Sequence, residues 1–290
     1  MLVHLFRLSV MGAALLAFLP RLQAQEENPN TIQVPQLVSD RPDFSESTFT
    51  VPPGAFQIEA GLTGERLDGT SDVNLGSVDA LWRFGLMRDV ELRLASGYTW
   101  ASVSDGEGEI IPDFEGPKAL LLGFKWRMLE RKTWAVSFLN QYELQTRTTT
   151  SGGDVWLGNW LILGSWSPEG SFSLAANAGF TNVSANFYDI ATSLSAGWQF
   201  TPRVSAFLEG FAETPNSSGF FEPRFDGGVL FLVHPRLQLD VAAGGIIERI
   251  SDNPFLTLGV TFLGPLSQNR PAMRGARPAS TPGAHPSREP

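Results

Sequence analysis

The charged residues of this chain recur at alternate positions within short apolar segments. Residues 90–94, for example, read Val-Glu-Leu-Arg-Leu. A period of two places the charges on one face of a β-strand and the apolar side chains on the opposite face. Charges arranged in this way can line a polar lumen and set its selectivity. They can also neutralise one another and fill a narrow barrel.

Twelve charged residues have this placement and are the candidate lumen residues. We expect most of them to pair with opposite charges, and a minority near the narrowest point to govern the passage of solutes. The set comprises Glu59, Asp79, Arg83, Glu91, Arg93, Lys125, Arg127, Glu143, Glu209, Arg224, Asp226 and Asp240.

Catalytic chemistry has little support in the sequence. His4 lies in an N-terminal apolar segment, His285 in the C-terminal tail and His234 in a short turn. A Ser/His hydrolase therefore has no base within a strand or at the outer rim. The chain has no cysteine, which excludes disulfides, thiol nucleophiles and thiolate metal ligands. We predict that the protein is not an enzyme and has no catalytic residue, cofactor or metal site.

The alternating segments must form the framework that positions these charges. Twelve of them occupy residues 54–263, and the gaps between them are alternately short and long. The first two long gaps are polar and comprise residues 68–72 and 102–114. This spacing is typical of a bacterial outer-membrane barrel, with short periplasmic turns and longer outer loops. A soluble periplasmic β-sandwich, the alternative, has no reason to alternate its loop lengths. The sequence predicts an all-β fold: a single, closed, antiparallel transmembrane β-barrel of about twelve strands.

One predicted strand, at residues 204–213, has an ambiguous phase. Phe207 and Phe211 fall on the same side as Glu209, so the apolar and charged faces are not separated. The alternation therefore does not indicate which of its side chains face the lumen.

The two ends of the chain have different compositions from the strands. Arg7, an apolar run over residues 8–19 and Ala24 indicate a secretory signal peptide of residues 1–24, too short to span a bilayer. An amphipathic segment that stays attached is the alternative. Residues 25–53 form a polar periplasmic leader, residues 54–263 the barrel, and residues 264–290 a tail rich in proline and arginine that is predicted to be disordered. We expect both termini to be periplasmic.

The leader carries a compact group of charges just before the first strand. Asp40, Arg41, Asp43 and Glu46 could fold into the base of the barrel and pair with lumen charges, acting as a plug or latch. Alternatively, the segment is a structural lead-in whose prolines fix the direction of the chain. The residues themselves leave both interpretations open.

The net charge limits the partners that the barrel can have. Residues 25–263 contain 15 basic and 29 acidic residues, a net charge of −14. An acidic barrel argues against nucleic acid as a partner. Its field favours cations or neutral solutes over anions. The expected partners are outer-membrane lipid and lipopolysaccharide, the barrel-assembly machinery and a small-molecule solute.

The start of the predicted barrel carries a distinctive motif. Residues 39–47 read Ser-Asp-Arg-Pro-Asp-Phe-Ser-Glu-Ser, residues 49–54 Phe-Thr-Val-Pro-Pro-Gly, and residues 56–61 Phe-Gln-Ile-Glu-Ala-Gly. This motif, with residues 83–93, closely resembles the opening of the outer-membrane transporter family called "Putative MetA-pathway of phenol degradation". The resemblance covers about residues 39–263. Ile58, where leucine is usual, and the long tail depart from the family pattern. The resemblance implies an outer-membrane channel for small solutes, aromatic ones among them.

The functional prediction combines the barrel with this resemblance. We expect an outer-membrane channel for the passive passage of small solutes, including aromatic or hydrophobic ones, with a narrow lumen that residues 39–53 gate or partly fill. The alternative is a non-conducting outer-membrane barrel with a structural or surface-binding role. A barrel of this size can be filled by its own side chains.

Overall fold

A computed structural model of the protein describes residues 37–42, 44–68, 71–105, 110–144, 158–183, 187–216, 221–248 and 253–265. The predicted signal peptide, the first part of the leader, Asp43 and the tail beyond residue 265 lie outside these ranges. The described residues belong to one compact unit, Gln36–Pro290. No helix within them is long and apolar enough to cross a membrane.

The described part of the chain forms a closed antiparallel β-barrel, which confirms the predicted fold. β1 pairs with both β2 and β13, so the sheet closes on itself. β4 and β5 follow each other alongside β3 and together occupy one position, which leaves twelve positions around the barrel. The strands are β1 (Ala55–Leu67), β2 (Ser71–Met87), β3 (Val90–Asp105), β4 (Ile110–Pro117), β5 (Leu120–Glu130), β6 (Trp134–Leu144), β7 (Gly158–Trp166), β8 (Phe172–Val183), β9 (Asp189–Thr201), β10 (Val204–Pro215), β11 (Arg224–His234), β12 (Leu237–Ile246) and β13 (Pro254–Pro265).

The β3–β4 hairpin differs from the prediction. The sequence placed residues 102–114 in a long polar loop, whereas β3 extends to Asp105 and β4 begins at Ile110. β-Branched residues such as Val103 and Ile111, which are paired here, favour extended backbone over a loop. β1 ends at Leu67 and β2 begins at Ser71, closer together than predicted, and residues 106–109 lie in sequence between β3 and β4.

The strand ends define the two ends of the barrel. The short-turn end carries residues 88–89, 131–133, 167–171, 202–203 and 235–236. At the opposite end, the long-loop end, lie the strand ends that precede and follow residues 68–70, 106–109, 145–157, 184–188, 216–223 and 247–253. Residues 118–119, between β4 and β5, lie partway along the wall beside β3. β1 starts at the short-turn end, and the leader joins it there.

The two faces of the barrel wall have opposite chemistry. Gln57 and Glu59 of β1 are fully buried, whereas Leu62, in the other phase of the same strand, is half exposed. The ambiguous phase of β10 is resolved in the same way, because Leu208 is 62% exposed and Glu209 only 2%. Polar side chains therefore face the lumen and apolar side chains face outward, as in a membrane barrel.

Candidate functional site

The leader enters the lumen at the short-turn end, turns and leaves at the same end. Leu37, where its described part starts, packs in one cluster with Val51, Ala55 and Leu263. Arg41 lies farther inside, where its Nη2 donates a hydrogen bond to Thr257 Oγ1 of β13 at 2.8 Å. The chain then returns to Gly54, next to β1. The described leader residues, 37–42 and 44–53, thus lie within the barrel, with both ends of the leader at the short-turn end.

A buried network of charges joins the leader to the wall. Asp40 Oδ2 accepts hydrogen bonds from Arg93 Nη1 and Lys125 Nζ, each at 2.6 Å. It also lies 3.1 Å from Arg83 Nη1. The other Asp40 oxygen accepts from the Ser47 N–H at 2.9 Å. The charge cluster, as we call it, consists of Asp40 and Glu46 of the leader and Glu59, Arg83, Glu91, Arg93 and Lys125 of the wall.

The wall cations of the charge cluster have partners both in the barrel wall and in the leader. Arg83 donates to Glu59 at 2.8 Å, to Glu91 at 2.9 Å and to the Phe49 carbonyl at 2.9 Å. Arg93 Nη2 donates to Glu46 Oε1 at 2.7 Å. Buried ions are tolerated only when they are paired and hydrogen-bonded. The wall therefore needs the charge of Asp40 when the lumen is closed.

The same network shifts the pKa values of the two leader carboxyls, Asp40 and Glu46, in opposite directions. Burial alone would raise the pKa of Asp40, but Arg83, Lys125 and Arg93 together lower it well below its usual range. Burial raises the pKa of Glu46 to about 7, and Arg93 only partly opposes this shift. About a fifth of the Glu46 side chain remains exposed. Near neutral pH, Asp40 is thus charged in the closed barrel, whereas Glu46 titrates.

Arg41 occupies a space that two glycines leave open. Gly61 of β1 and Gly259 of β13 are paired in register, and a Cβ on either would overlap the Arg41 guanidinium. We call this pair the glycine slot. Asp240 of β12 lies beside it, with its Oδ1 3.6 Å from Arg41 Nη2. Glycine within a strand commonly marks such a close approach.

On the opposite side of the lumen, the leader contacts are mostly neutral. The Ser45 and Ser193 hydroxyls lie 2.6 Å apart, and those of Thr48 and Ser165 lie 2.7 Å apart. The Ser137 hydroxyl donates to the Thr48 carbonyl at 2.7 Å. These contacts hold the returning limb of the leader against β6, β7 and β9. They join hydroxyl and carbonyl groups rather than ions.

β10 contributes an aromatic contact and an acid. The rings of Phe44 and Phe211 stack at 4.6 Å with an interplanar angle of 11°. Glu209 accepts hydrogen bonds from the Phe44 N–H at 2.6 Å and from the Ser45 hydroxyl. The inward Phe211, which made the phase of this strand ambiguous, is therefore a contact of the leader.

The cavities that described residues line beside the leader include two of about 180 Å³ each. The first, the β2–β5 cavity, lies against Arg41 and is lined by Asp79, Leu81, Lys118 and Leu121 among others. The second, the β6–β10 cavity, includes Phe44, Glu46, Leu139, Gln141, Asn159, Leu161, Thr181 and Glu213 in its lining.

The remaining predicted residues lie outside the charge cluster. Asp79 pairs with Lys118 at 2.7 Å, Arg127 with Asp89 at 3.0 Å, and Arg224 with Glu65 at 2.8 Å. Glu143 is opposite Leu121 in the β5–β6 register, and Asp226 is opposite Glu209. Arg127 and its partner are at the short-turn end, so this pair does not face the middle of the lumen. Asp43 is outside the described residues.

Several contact residues were not predicted. The serines at positions 137, 165 and 193 and the glycine slot have no charge and no motif to single them out. Their only signal was the inward phase of their strands. Lys118, the partner of Asp79, was in the gap between two predicted strands.

The closed barrel, its apolar exterior and its polar interior define an outer-membrane β-barrel fold. Residues 39–263 match the family model described as "Putative MetA-pathway of phenol degradation". The chain therefore belongs to this family, which confirms the resemblance found in its sequence. The match begins at Ser39, within the leader, so the lumen segment is part of the family pattern. No curated protein sequence matches the chain at a significant level.

Solved structures share the fold at low sequence identity. An outer membrane channel from Pseudomonas putida F1 is 12% identical with a TM-score of 0.53, over 74% of this chain and 97% of that chain. The translocator domain of the autotransporter NalP from Neisseria meningitidis is 10% identical with a TM-score of 0.47, over 74% and 89%. The CymD monoaromatic hydrocarbon channel is 9% identical with a TM-score of 0.42, over 73% and 89%. The first of these likenesses supports the fold alone.

Proposed function

We propose that this protein is an outer-membrane channel for the passive passage of small solutes and that its leader closes the lumen at rest. The observation that carries the proposal is the way the lumen is filled. Residues 37–42 and 44–53 are held in the lumen largely by ion pairs and hydrogen bonds. A barrel filled permanently by its own wall residues would need no such segment.

The chemistry of the wall beneath the leader suits a lumen that is at times filled with water. Arg83, Arg93 and Lys125 are fully buried only because the leader covers them. When the leader leaves, water can solvate these cations, so the usual penalty for an unpaired buried charge does not apply. An apolar wall would instead favour permanent closure.

Orientation and surroundings follow from the same proposal. The short turns and the leader face the periplasm, and the long loops face outward, where lipopolysaccharide is the neighbouring lipid. Exposed side chains such as Trp198 and Leu194 support contact with lipid around the barrel. Insertion depends on the barrel-assembly machinery. The role is transport and includes no catalytic step.

The second candidate is a non-conducting barrel with a structural or surface-binding role. One observation favours it: the leader has hydrogen bonds or packing contacts to wall residues on nearly every side, from Arg83 of β2 through Ser165 of β7 to Thr257 of β13. A seal of this extent would prevent conduction if the leader never moved.

Planar-bilayer conductance separates the two candidates. We would compare the refolded protein from residue 25 onward with a variant that lacks residues 39–53, and verify folding of both by heat-modifiable gel mobility. A channel closed by the leader gives infrequent discrete openings, which become frequent and larger in the deletion variant. If both proteins are folded and silent, the channel proposal is wrong and the structural role is favoured.

A further inference from the structure

The two cavities beside the leader differ in charge. The β2–β5 cavity is lined by two cations, Arg41 and Lys118, together with Glu59 and Asp79. Among the described residues, the lining of the β6–β10 cavity contains no cation; its charged members are Glu46 and Glu213. Glu213 accepts a hydrogen bond from the Thr181 hydroxyl at 2.9 Å, and Glu46 is paired with Arg93. A negatively charged solute in the β6–β10 cavity would therefore lie beside Glu213 and would have no cation of the lining to pair with.

The β6–β10 cavity also has an apolar part with an aromatic ring. Leu139 and Leu161 of the wall and Phe44 of the leader line it. Phe44 is backed by Phe211 through the 4.6 Å stack, so its ring is held in place. Rings in proteins favour stacked or edge contacts with other flat rings. This part of the cavity can bind the flat face of a solute.

Neutral polar groups share the same lining. The side chains of Gln141, Asn159 and Thr181 line the cavity with hydrogen-bonding atoms. Its volume of about 180 Å³ is close to that of an engineered apolar cavity of roughly 150 Å³ that holds benzene. A few polar groups around an apolar space are typical of small-molecule sites.

We propose that the β6–β10 cavity is a binding site for a small neutral solute that has a flat apolar face and a hydrogen-bonding group. A solute that crosses the barrel binds this site on its way, so it passes along the wall formed by β6 to β10 rather than along the wall formed by β2 to β5. This inference names the solute class of the channel proposed above and rests on that function for its role in transport. The binding site itself can be tested without conduction.

Nicotinamide and nicotinate are a matched pair of probes, since they share one ring and differ in charge at pH 7. Their binding to the folded protein in detergent micelles is measured by saturation-transfer NMR. Leu161→Trp fills the β6–β10 cavity, and Leu121→Trp makes the same change in the β2–β5 cavity as the matched control. Phe44→Ala removes the ring from the leader without altering a strand, so it remains informative if Leu161→Trp fails to fold.

We expect nicotinamide to bind the wild-type protein and the Leu121→Trp variant equally and to lose its signal in Leu161→Trp. Phe44→Ala should weaken binding roughly 2- to 12-fold, the loss of one aromatic contact. Equal signals in all variants would mean partition into micelles and would overturn the site. Loss in Leu121→Trp alone would assign binding to the other cavity, and equal binding of nicotinate would overturn the preference for neutral solutes. If nicotinamide binds as expected but the deletion variant does not conduct, the site stands and the channel proposal fails.

Discussion

Replacing Asp40 by asparagine should release the leader from the lumen. Asp40 is where the leader meets three wall cations, and an asparagine at this position keeps the shape of the side chain but lacks its charge. Loss of one partner from a buried ion pair costs about 3–5 kcal/mol. Arg83 and Arg93 keep other partners, Glu59, Glu91 and Glu46, so we expect the lower end of this range. About 3 kcal/mol lowers the ratio of docked to undocked leader roughly 100-fold.

Two assays measure that ratio. The open fraction in planar bilayers should rise, and the rate at which a protease cuts the leader of the folded protein should rise with it. Glu169→Gln is the control, because it also removes an acid from an ion pair, but Glu169 and Lys132 are both more than 80% exposed. If the Asp40→Asn and Glu169→Gln variants behave alike in both assays while the barrel stays folded, the charge cluster does not hold the leader.

Three further changes test other contacts of the leader. Gly61→Ala places a Cβ against the Arg41 guanidinium, so it should speed proteolysis of the leader in the wild-type background but have no further effect in an Arg41→Ala background. Phe211→Leu should weaken docking by about 0.5–1.5 kcal/mol through loss of the stack with Phe44, and an unchanged rate of proteolysis would contradict this. The docked pKa of Glu46, about 7 against an ordinary 4.5, means that docking weakens as the pH rises from about 4.5 to about 7. The open fraction should thus increase from about pH 5 to about pH 8, where Asp40 stays charged, and Glu46→Gln should remove that increase.

The sequence predicted the barrel because strand phase is a local property. Alternation within a few residues decides which side chains face inward, and Glu59, Arg83 and Lys125 of the predicted inward set are buried in the structure. The extra length of β3 and β4 was missed, because polar residues in this hairpin resemble a loop. The β-branched Ile111 favours extended backbone, and pairing of residues 110–117 with β3 completes the strand.

The pairing partners could not be predicted, since they depend on contacts between distant parts of the chain. The charges of Asp40 and Glu46 suggested that they would meet cations. Their actual partner Lys125 is 85 residues from Asp40, and nothing in the sequence selects it over Arg127. Gly61 and Gly259 become neighbours only when β13 closes the barrel against β1. The slot for Arg41 is therefore a product of closure and has no local signal.

The positions of charge around the lumen explain why the leader carries acids and a base so close together. On the β2–β5 side, three cations, Arg83, Arg93 and Lys125, face the leader, and Asp40 and Glu46 point toward them. On the β12–β13 side an acid, Asp240, lies beside the glycine slot, and Arg41 points toward it. Asp40 and Arg41 are adjacent in sequence, and each meets the opposite charge on its own side of the lumen. A leader shifted by one residue would bring like charges together on one side, with Arg41 facing the three cations or Asp40 facing Asp240, and would leave the wall charge on the other side without its partner. The charge pattern of the wall therefore determines the register in which the leader docks.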